Sequence, residues 1–140
     1  DLVRNSERSL LVTAAVVADG DRVLVARRAP GRDSAGFWEF PGGKIEDGES
    51  PEQCLARELK EELALDVVVG QFLCCSSHAY PDRTITLLVY EAHLPAQASR
   101  EDIRLDSHDA LLWLAPSDLL AIQLSLPDKP IVEYLLSRGP

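Results

Sequence analysis

No stretch of this 140-residue sequence approaches the ~20 consecutive apolar residues that a membrane-spanning helix needs, so no membrane partner is expected. Basic residues are scarce as well. Lys and Arg total 14 against 23 Asp and Glu, a formal net charge of −9. A broad nucleic-acid surface needs clustered Lys and Arg, so nucleic acid is not an expected partner. An anionic small substrate stays open, because a divalent cation on an acidic cluster inverts the local field. Cysteine is rare, with only Cys54, Cys74 and Cys75. An odd, small number without a secretory signal points to a reducing, cytoplasmic compartment. Cys74 and Cys75 are neighbours in a strand-like run, so their side chains are expected on opposite faces, as packing groups rather than a redox pair. Asp1 to Arg8 is polar, is expected to be flexible and lacks the apolar centre of a signal peptide. The sequence does not begin with Met, as a processed chain or one cut from a longer protein would not.

What is present reads as one domain spanning 1–140, with 46% hydrophobic and 26% charged residues and no repeat or linker. The apolar run from Ser9 to Ala18, the turn signal Asp19-Gly20-Asp21 and the alternating Arg22 to Arg27 predict a hairpin. Ala29 to Gly36 is a loop, and Pro41-Gly42-Gly43 breaks the aromatic stretch Phe37 to Phe40. A helix is predicted from Pro51 to about Leu63 or Ala64. Ser50 and Gln53 form a capping box, Pro51 takes the first helical position, and Leu55, Leu59 and Leu63 form a core stripe. Strands follow over Asp66 to His78, Arg83 to Leu94 and Ala110 to Leu114. Ser117 is expected to cap a short helix, and Pro130 to Ser137 to form a final amphipathic one. Mixed strands with a central and a terminal helix suggest an α/β sandwich rather than a regular βαβ array.

The central helix carries the chemistry. Glu58 lies three and four residues before Glu61 and Glu62, spacings that put all three on one face. Such like-charged neighbours cost a helix a few tenths of a kcal/mol per pair. A divalent cation reverses that cost, because magnesium takes hard oxygen ligands and bridges carboxylates to phosphates. A solvated acidic face with an Arg57–Glu61 pair is the ordinary alternative for such a turn taken alone.

The residues before it make the pattern specific. Gly43 is followed after five residues by Glu49. Seven residues later comes Arg57-Glu58-Leu59-Lys60-Glu61-Glu62, and then Ala64-Leu65. This resembles the Nudix box, in which Arg-Glu-aliphatic-x-Glu-Glu-x-Gly-aliphatic follows Gly and Glu at those same spacings. The one departure is Ala64, where the family has the Gly that ends the helix. Phe37 to Lys44 and Tyr80-Pro81-Asp82-Arg83 resemble segments of MutT-like members, and the likeness covers nearly the whole chain after Arg8. The nearest branch is that of MutT and CTP pyrophosphohydrolase.

The resemblance implies the Nudix α/β/α sandwich, with a mixed central sheet flanked by helices. It implies a Mg2+ site, open also to Mn2+, built from Glu58, Glu61, Glu62 and the carbonyl of Gly42. One of these glutamates would activate water, and Arg57 would orient Glu49 or Glu58. Asp109, in the segment before Trp113, is a weaker stand-in for the additional acid that some members use. The expected substrate is a nucleoside triphosphate, cleaved to the monophosphate and pyrophosphate, by a monomer or a homodimer. Arg27, Arg28, Lys44 and Arg83 are expected near the phosphates, and Trp38, Phe40 and Tyr80 at the base. Asp128 stands where the branch places a base-reading side chain and leans the preference toward cytidine or modified pyrimidine nucleotides (CTP, dCTP, 5-methyl-dCTP). The alternative for Asp128 is a cap on the last helix. The alternatives for the protein are an 8-oxo-dGTP diphosphatase of MutT type and a non-catalytic nucleotide-binding module.

Overall fold

An apolar run that does not alternate belongs to a strand covered on both faces, and β1 (Ser9–Asp19) is that strand. Ala14 and Val16 join one buried cluster, while Ala15 and Val17 join another on the opposite face. The protein, described over residues 9–138 by a computed structural model, is organised around it; the polar segment 1–8 lies outside the described residues. The remaining elements are β2 (Arg22–Arg28), β3 (Trp38–Glu39), β4 (Gly42–Lys44), α1 (Pro51–Leu63), β5 (Val68–Tyr80), β6 (Arg83–His93), β7 (His108–Leu114) and α2 (Lys129–Arg138). Short 3₁₀ turns occupy Arg100–Asp102, Pro116–Ala121 and Leu126–Asp128.

The seven strands follow the order β3-β2-β1-β6-β5, with β4 on β1 and β7 on β2. β1 runs parallel to β6, and the other pairs are antiparallel, which makes the sheet mixed. Leu55, Leu59 and Leu63 of α1 cover the face with Ala15 and Val17. Ile131, Val132 and Leu135 of α2 cover the other, with Ala14 and Val16. The expected α/β/α layering is present.

The predicted hairpin exists only at its tip. Ala18↔Val23 and Asp19↔Arg22 are the pairs that join β1 to β2. Beyond them the strands diverge, β1 to β6 over Ser9↔Thr84 through Val17↔Ala92, and β2 to β7. The fork is filled by the segment expected to be broken. β3 pairs with β2 through Trp38 and Glu39, and β4 pairs with β1 through Gly42, Gly43 and Lys44. Those glycines form strand because an unpaired edge awaits them and because they fit closely: a side chain at Gly42 would strike the Thr13 backbone, and one at Gly43 the Glu58 carboxylate. The fork thus sets the glycine pair directly against α1.

Other expectations shift modestly. β5 begins at Val68 rather than Asp66 and bends at two register shifts. Cys74 packs against the core while Cys75 is exposed. Ser117 caps nothing: the Pro116–Ala121 turn follows Ala115 with no side-chain cap, and its leading proline has no N–H to satisfy. The last helix starts at Lys129, one residue earlier than expected. Among the described residues no helix is long and apolar enough to cross a membrane.

Candidate active site

Local chemistry holds α1 in place. Ser50 Oγ accepts from Gln53 N at 3.1 Å and Ser50 N donates to Gln53 Oε1 at 2.9 Å, the expected reciprocal cap. At the other end Ala64 adopts the left-handed conformation at φ 60 and donates its N–H to Lys60 O. The residue that replaces the family glycine therefore keeps the glycine's geometry. With the leucines facing inward, Arg57, Glu58 and Glu62 reach Lys44, Gly43 and Gly42 of β4, while Glu61 stays exposed.

Arg57 ties this face together. Its Nε and Nη2 donate to Glu49 at 2.6 and 3.0 Å, and its Nη1 reaches Glu58 at 3.1 Å and Glu61 at 3.4 Å. Nη2 also donates to the Lys44 carbonyl at 3.2 Å. Such a forked contact fixes direction as well as distance. The guanidinium, helped by the backbone N–H of Glu46, holds Glu49 down to about 2, and Glu49 in turn raises Arg57.

The remaining glutamates are held less completely. Glu58 lies against Gly43, and burial raises its pKa. Glu62 accepts from Gly42 N at 3.4 Å. Burial, joined by the charges of Glu39 and Glu58, pushes it up to about 9. A carboxyl so placed is short of positive charge, and hard oxygen donors short of positive charge suit a divalent cation. Among the described residues no three acidic, His or Cys side chains close around one point. A magnesium ion on this face would take the rest of its coordination from water and phosphate oxygens.

Two hollows adjoin this face. The inner one, about 140 Å³, is lined by Thr13, Glu39, Phe40, Gly42, Pro127 and Asp128 among others. The outer one, about 300 Å³, is lined by Arg28, Glu39, Lys44, Tyr80, Arg83 and Ser125 among others. Glu39 belongs to both. Arg83 lies over the Tyr80 ring at 5.6 Å, and its Nε is buried with no partner, a donor awaiting an acceptor. Asp128 does not cap the last helix; its Oδ2 accepts from Phe40 N at 2.8 Å. Burial pushes Asp128 up to about 8, against the lowering effect of that hydrogen bond and with help from the Glu39 charge.

Arg28, Lys44, Tyr80, Arg83 and Asp128 therefore come together beside the glutamates. Three other expected substrate contacts are placed differently. Phe40 is 3% exposed and its ring is core, so it forms a wall of the inner hollow rather than a stacking face. Trp38 packs against the same core and under Arg27, whose guanidinium lies 5.5 Å from its ring. Arg27 is engaged by Asp109 at 2.8 Å, and as the neighbour of Arg28 on β2 it faces the opposite side of the strand. That contact pairs Asp109 with Arg27 in a partly exposed ion pair.

Glu39 and His108 were not anticipated. His108 Nε2 lies 2.8 Å from Glu39 Oε2, to which Arg28 Nη1 also donates at 3.2 Å. No local pattern marks either residue. Glu39 is one acid between two aromatics, and His108 is a lone histidine 69 positions away.

A NUDIX domain family model matches residues 8–135. The chain is 34% identical over 126 residues to the CTP pyrophosphohydrolase of Escherichia coli K12, covering 90% of each protein. It is 46% identical over 82 residues to the 8-oxo-dGTP diphosphatase of Proteus vulgaris, covering 58% of this chain and 73% of that one. The solution structure of the E. coli ORF135 protein superposes with a TM-score of 0.81 at 33% identity, over 96% of this chain and 94% of that one. The MutT protein of Methanosarcina mazei Go1 shares the fold, with a TM-score of 0.81 at 20% identity over 95% of this chain and 96% of that one.

Proposed function

The chain belongs to the Nudix hydrolase family, and from that premise we propose that it is a Mg2+-dependent nucleoside triphosphate pyrophosphohydrolase, converting a nucleoside triphosphate and water to the monophosphate and pyrophosphate. One observation carries the reading: Glu58 and Glu62 lie against Gly42 and Gly43, beside hollows that hold Arg28, Lys44, Arg83 and Asp128.

Glu58, Glu62 and the Gly42 carbonyl would hold the ion, with Glu61 on the solvent side as a further ligand or as the base. Bound there, magnesium supplies charge neutralisation at the phosphate oxygens and a lowered pKa for a water molecule. Arg57 and Glu49 keep Glu58 and Glu61 aimed. Arg28, Lys44 and Arg83 suit the polyphosphate, Arg through planar paired contacts and Lys as a point charge. Tyr80 offers a flat face to the base.

For the base we favour cytidine and modified pyrimidine nucleotides. A carboxyl that keeps its proton at neutral pH can donate to the ring nitrogen of cytosine, while the neighbouring Glu39 carboxylate accepts from the exocyclic amine. Uracil presents a carbonyl where cytosine has that amine, and a carboxylate repels it. A protonated Asp128 also complements the edge of an oxidised guanine, so 8-oxo-dGTP is the second reading. The relative from Proteus vulgaris named for that activity makes it the specific rival. Three free thiols accord with a cytoplasmic setting.

The test is pyrophosphate release with Mg2+ or Mn2+ over CTP, dCTP, 5-methyl-dCTP, UTP and 8-oxo-dGTP, for the unsubstituted protein and Asp128→Ala. We expect turnover, discrimination against UTP, and an altered ranking in the variant at unchanged metal dependence. Binding of nucleotide without turnover of any would replace the enzyme with a sensor module, and an unaltered ranking would remove Asp128 from the base pocket.

A further inference from the structure

We propose that His108 is a positioning residue: its buried imidazole holds the Glu39 carboxylate toward the inner hollow and thereby sets which base is accepted. The proposal rests on the reading of the hollows as a nucleotide site, and it adds a residue to that site which never touches the substrate.

The strand register brings the two groups together. β2 lies between β3 and β7, with Ala26 opposite Glu39 and Arg28 opposite His108. Ala26 and Arg28 are two residues apart and so share a face of the sheet. The pairing of β2 with β7 shifts between Arg27 and Arg28, where Arg27↔Ala110 is followed by Arg28↔His108. Asp109 is the residue left over. Bulges of this kind re-aim side chains beside functional sites. Here Asp109 goes outward to Arg27, and the His108 side chain, 1% exposed, goes inward to Glu39.

The hydrogen bonding then fixes the ring. Glu39 accepts at Oε2, so Nε2 is the His108 nitrogen that donates, and Nδ1 is buried with no partner. The other neutral tautomer would turn a lone pair toward the carboxylate and bury an N–H donor with nothing to receive it. A buried ring nitrogen without a partner does not help folding; the contact with Glu39 is what this ring provides.

Glu39 thus has two donors of different kinds. Arg28 Nη1 reaches the same Oε2 from a side chain 31% exposed at the outer hollow, where a polyphosphate would compete for it. His108 is enclosed and cannot follow. When Arg28 turns to a phosphate, His108 still holds Oε2, and the other oxygen of Glu39 stays available to the base beside Asp128.

The experiment compares His108→Phe, which keeps a ring and loses the donor, with His108→Gln, which returns an N–H at similar reach. For each, kcat and KM are measured separately for CTP, UTP and 8-oxo-dGTP, along with the melting temperature and the Mg2+ activation curve. We expect His108→Phe to raise KM more than it lowers kcat and to change the ratio of kcat/KM between nucleotides by about tenfold, the factor expected for one charge-assisted hydrogen bond. His108→Gln restores most of the ratio, and Mg2+ activation is unmoved. In a Glu39→Ala background His108→Phe changes the ratio no further. An unchanged ratio in a variant that melts cooperatively overturns the proposal, as does a ratio change that persists without Glu39. Should His108→Phe fail to fold, His108→Asn, too short to reach Glu39, takes its place against His108→Gln. The imidazole 15N resonances without nucleotide give a readout independent of activity: a protonated Nε2 is expected, and an Nε2 without its proton overturns the proposal. Failure of the unsubstituted protein to turn over any nucleotide would overturn the enzymatic reading and the specificity role together, while the resonances would still decide whether His108 holds Glu39.

Discussion

The backbone N–H of Phe40 donates to the Asp128 carboxyl at 2.8 Å across 88 positions of sequence. It ties the segment before the glycine pair to the turn before the last helix. Asp128 is buried at the wall of the inner hollow, and that burial raises its carboxyl against the lowering effect of the Phe40 contact.

The first prediction concerns that proton. Burial raises Asp128 from an ordinary 3.8 to about 8, so between those values the folded state binds more protons than the unfolded state. Stability then falls as pH rises. The contribution is complete below about pH 4 and is lost as pH rises through about 8. Asp128→Asn keeps an acceptor for Phe40 N and has no proton to lose. Metal-free denaturant titrations of both proteins from pH 4 to pH 9 should show a falling difference in stability; a difference that stays flat with pH would show an Asp128 ionised throughout.

Glu62→Gln separates ligand from structure. The buried, uncompensated carboxyl is replaced by a neutral group of the same shape, so the metal-free melting temperature should hold or rise. Turnover should fall by roughly a hundredfold or more, as when a group acting directly on the transition state is removed. Mg2+ should stabilise the unsubstituted protein but not the variant. A variant that is unfolded at room temperature would mark Glu62 as a structural group.

Arg57→Lys keeps the charge and loses the fork. Lysine cannot reach Glu49, Glu58 and Glu61 together, so the carboxylates lose their alignment. Activity or Mg2+ affinity should drop about ten- to a hundredfold, the usual effect of removing an outer partner of metal ligands. Steady-state rates over a Mg2+ titration read this directly, and full activity in the lysine variant would reduce the guanidinium to a point charge.

Ala64→Gly should stabilise the protein. Ala64 holds φ 60 at the end of α1, a conformation that costs a residue with a side chain about 1 kcal/mol. Chemical denaturation should show a gain near that size with unchanged turnover; a loss would mean that the unfolded-state entropy of glycine outweighs the relief.

The central helix was legible from sequence because everything that makes it is local. Its cap is Ser50 with Gln53, its buried face repeats through Leu55, Leu59 and Leu63, and Arg57 meets Glu58 and Glu61 within one turn. The spacing from Gly43 to Glu62 shows in the sequence for the same reason. The substrate side was legible only in part. Arg27 and Trp38 looked as suitable as Arg28 and Tyr80, since nothing in residue type says which way a strand will face. The short strands β3 and β4 were invisible, because each is held by an edge that exists only after β1 and β2 diverge.

The order of residues alone determined the acidic helix face, its caps and the family resemblance, since these depend on short-range spacing from Gly43 through Glu49 to the periods of three and four along one helix. Only the folded sheet decided that Glu39, His108 and Asp128 stand together while Arg27, Trp38 and Phe40 are drawn into pairing and packing. Those assignments depend on which strand edges meet and where one bulge falls, and strand pairing joins residues whose separation in sequence leaves no periodic trace.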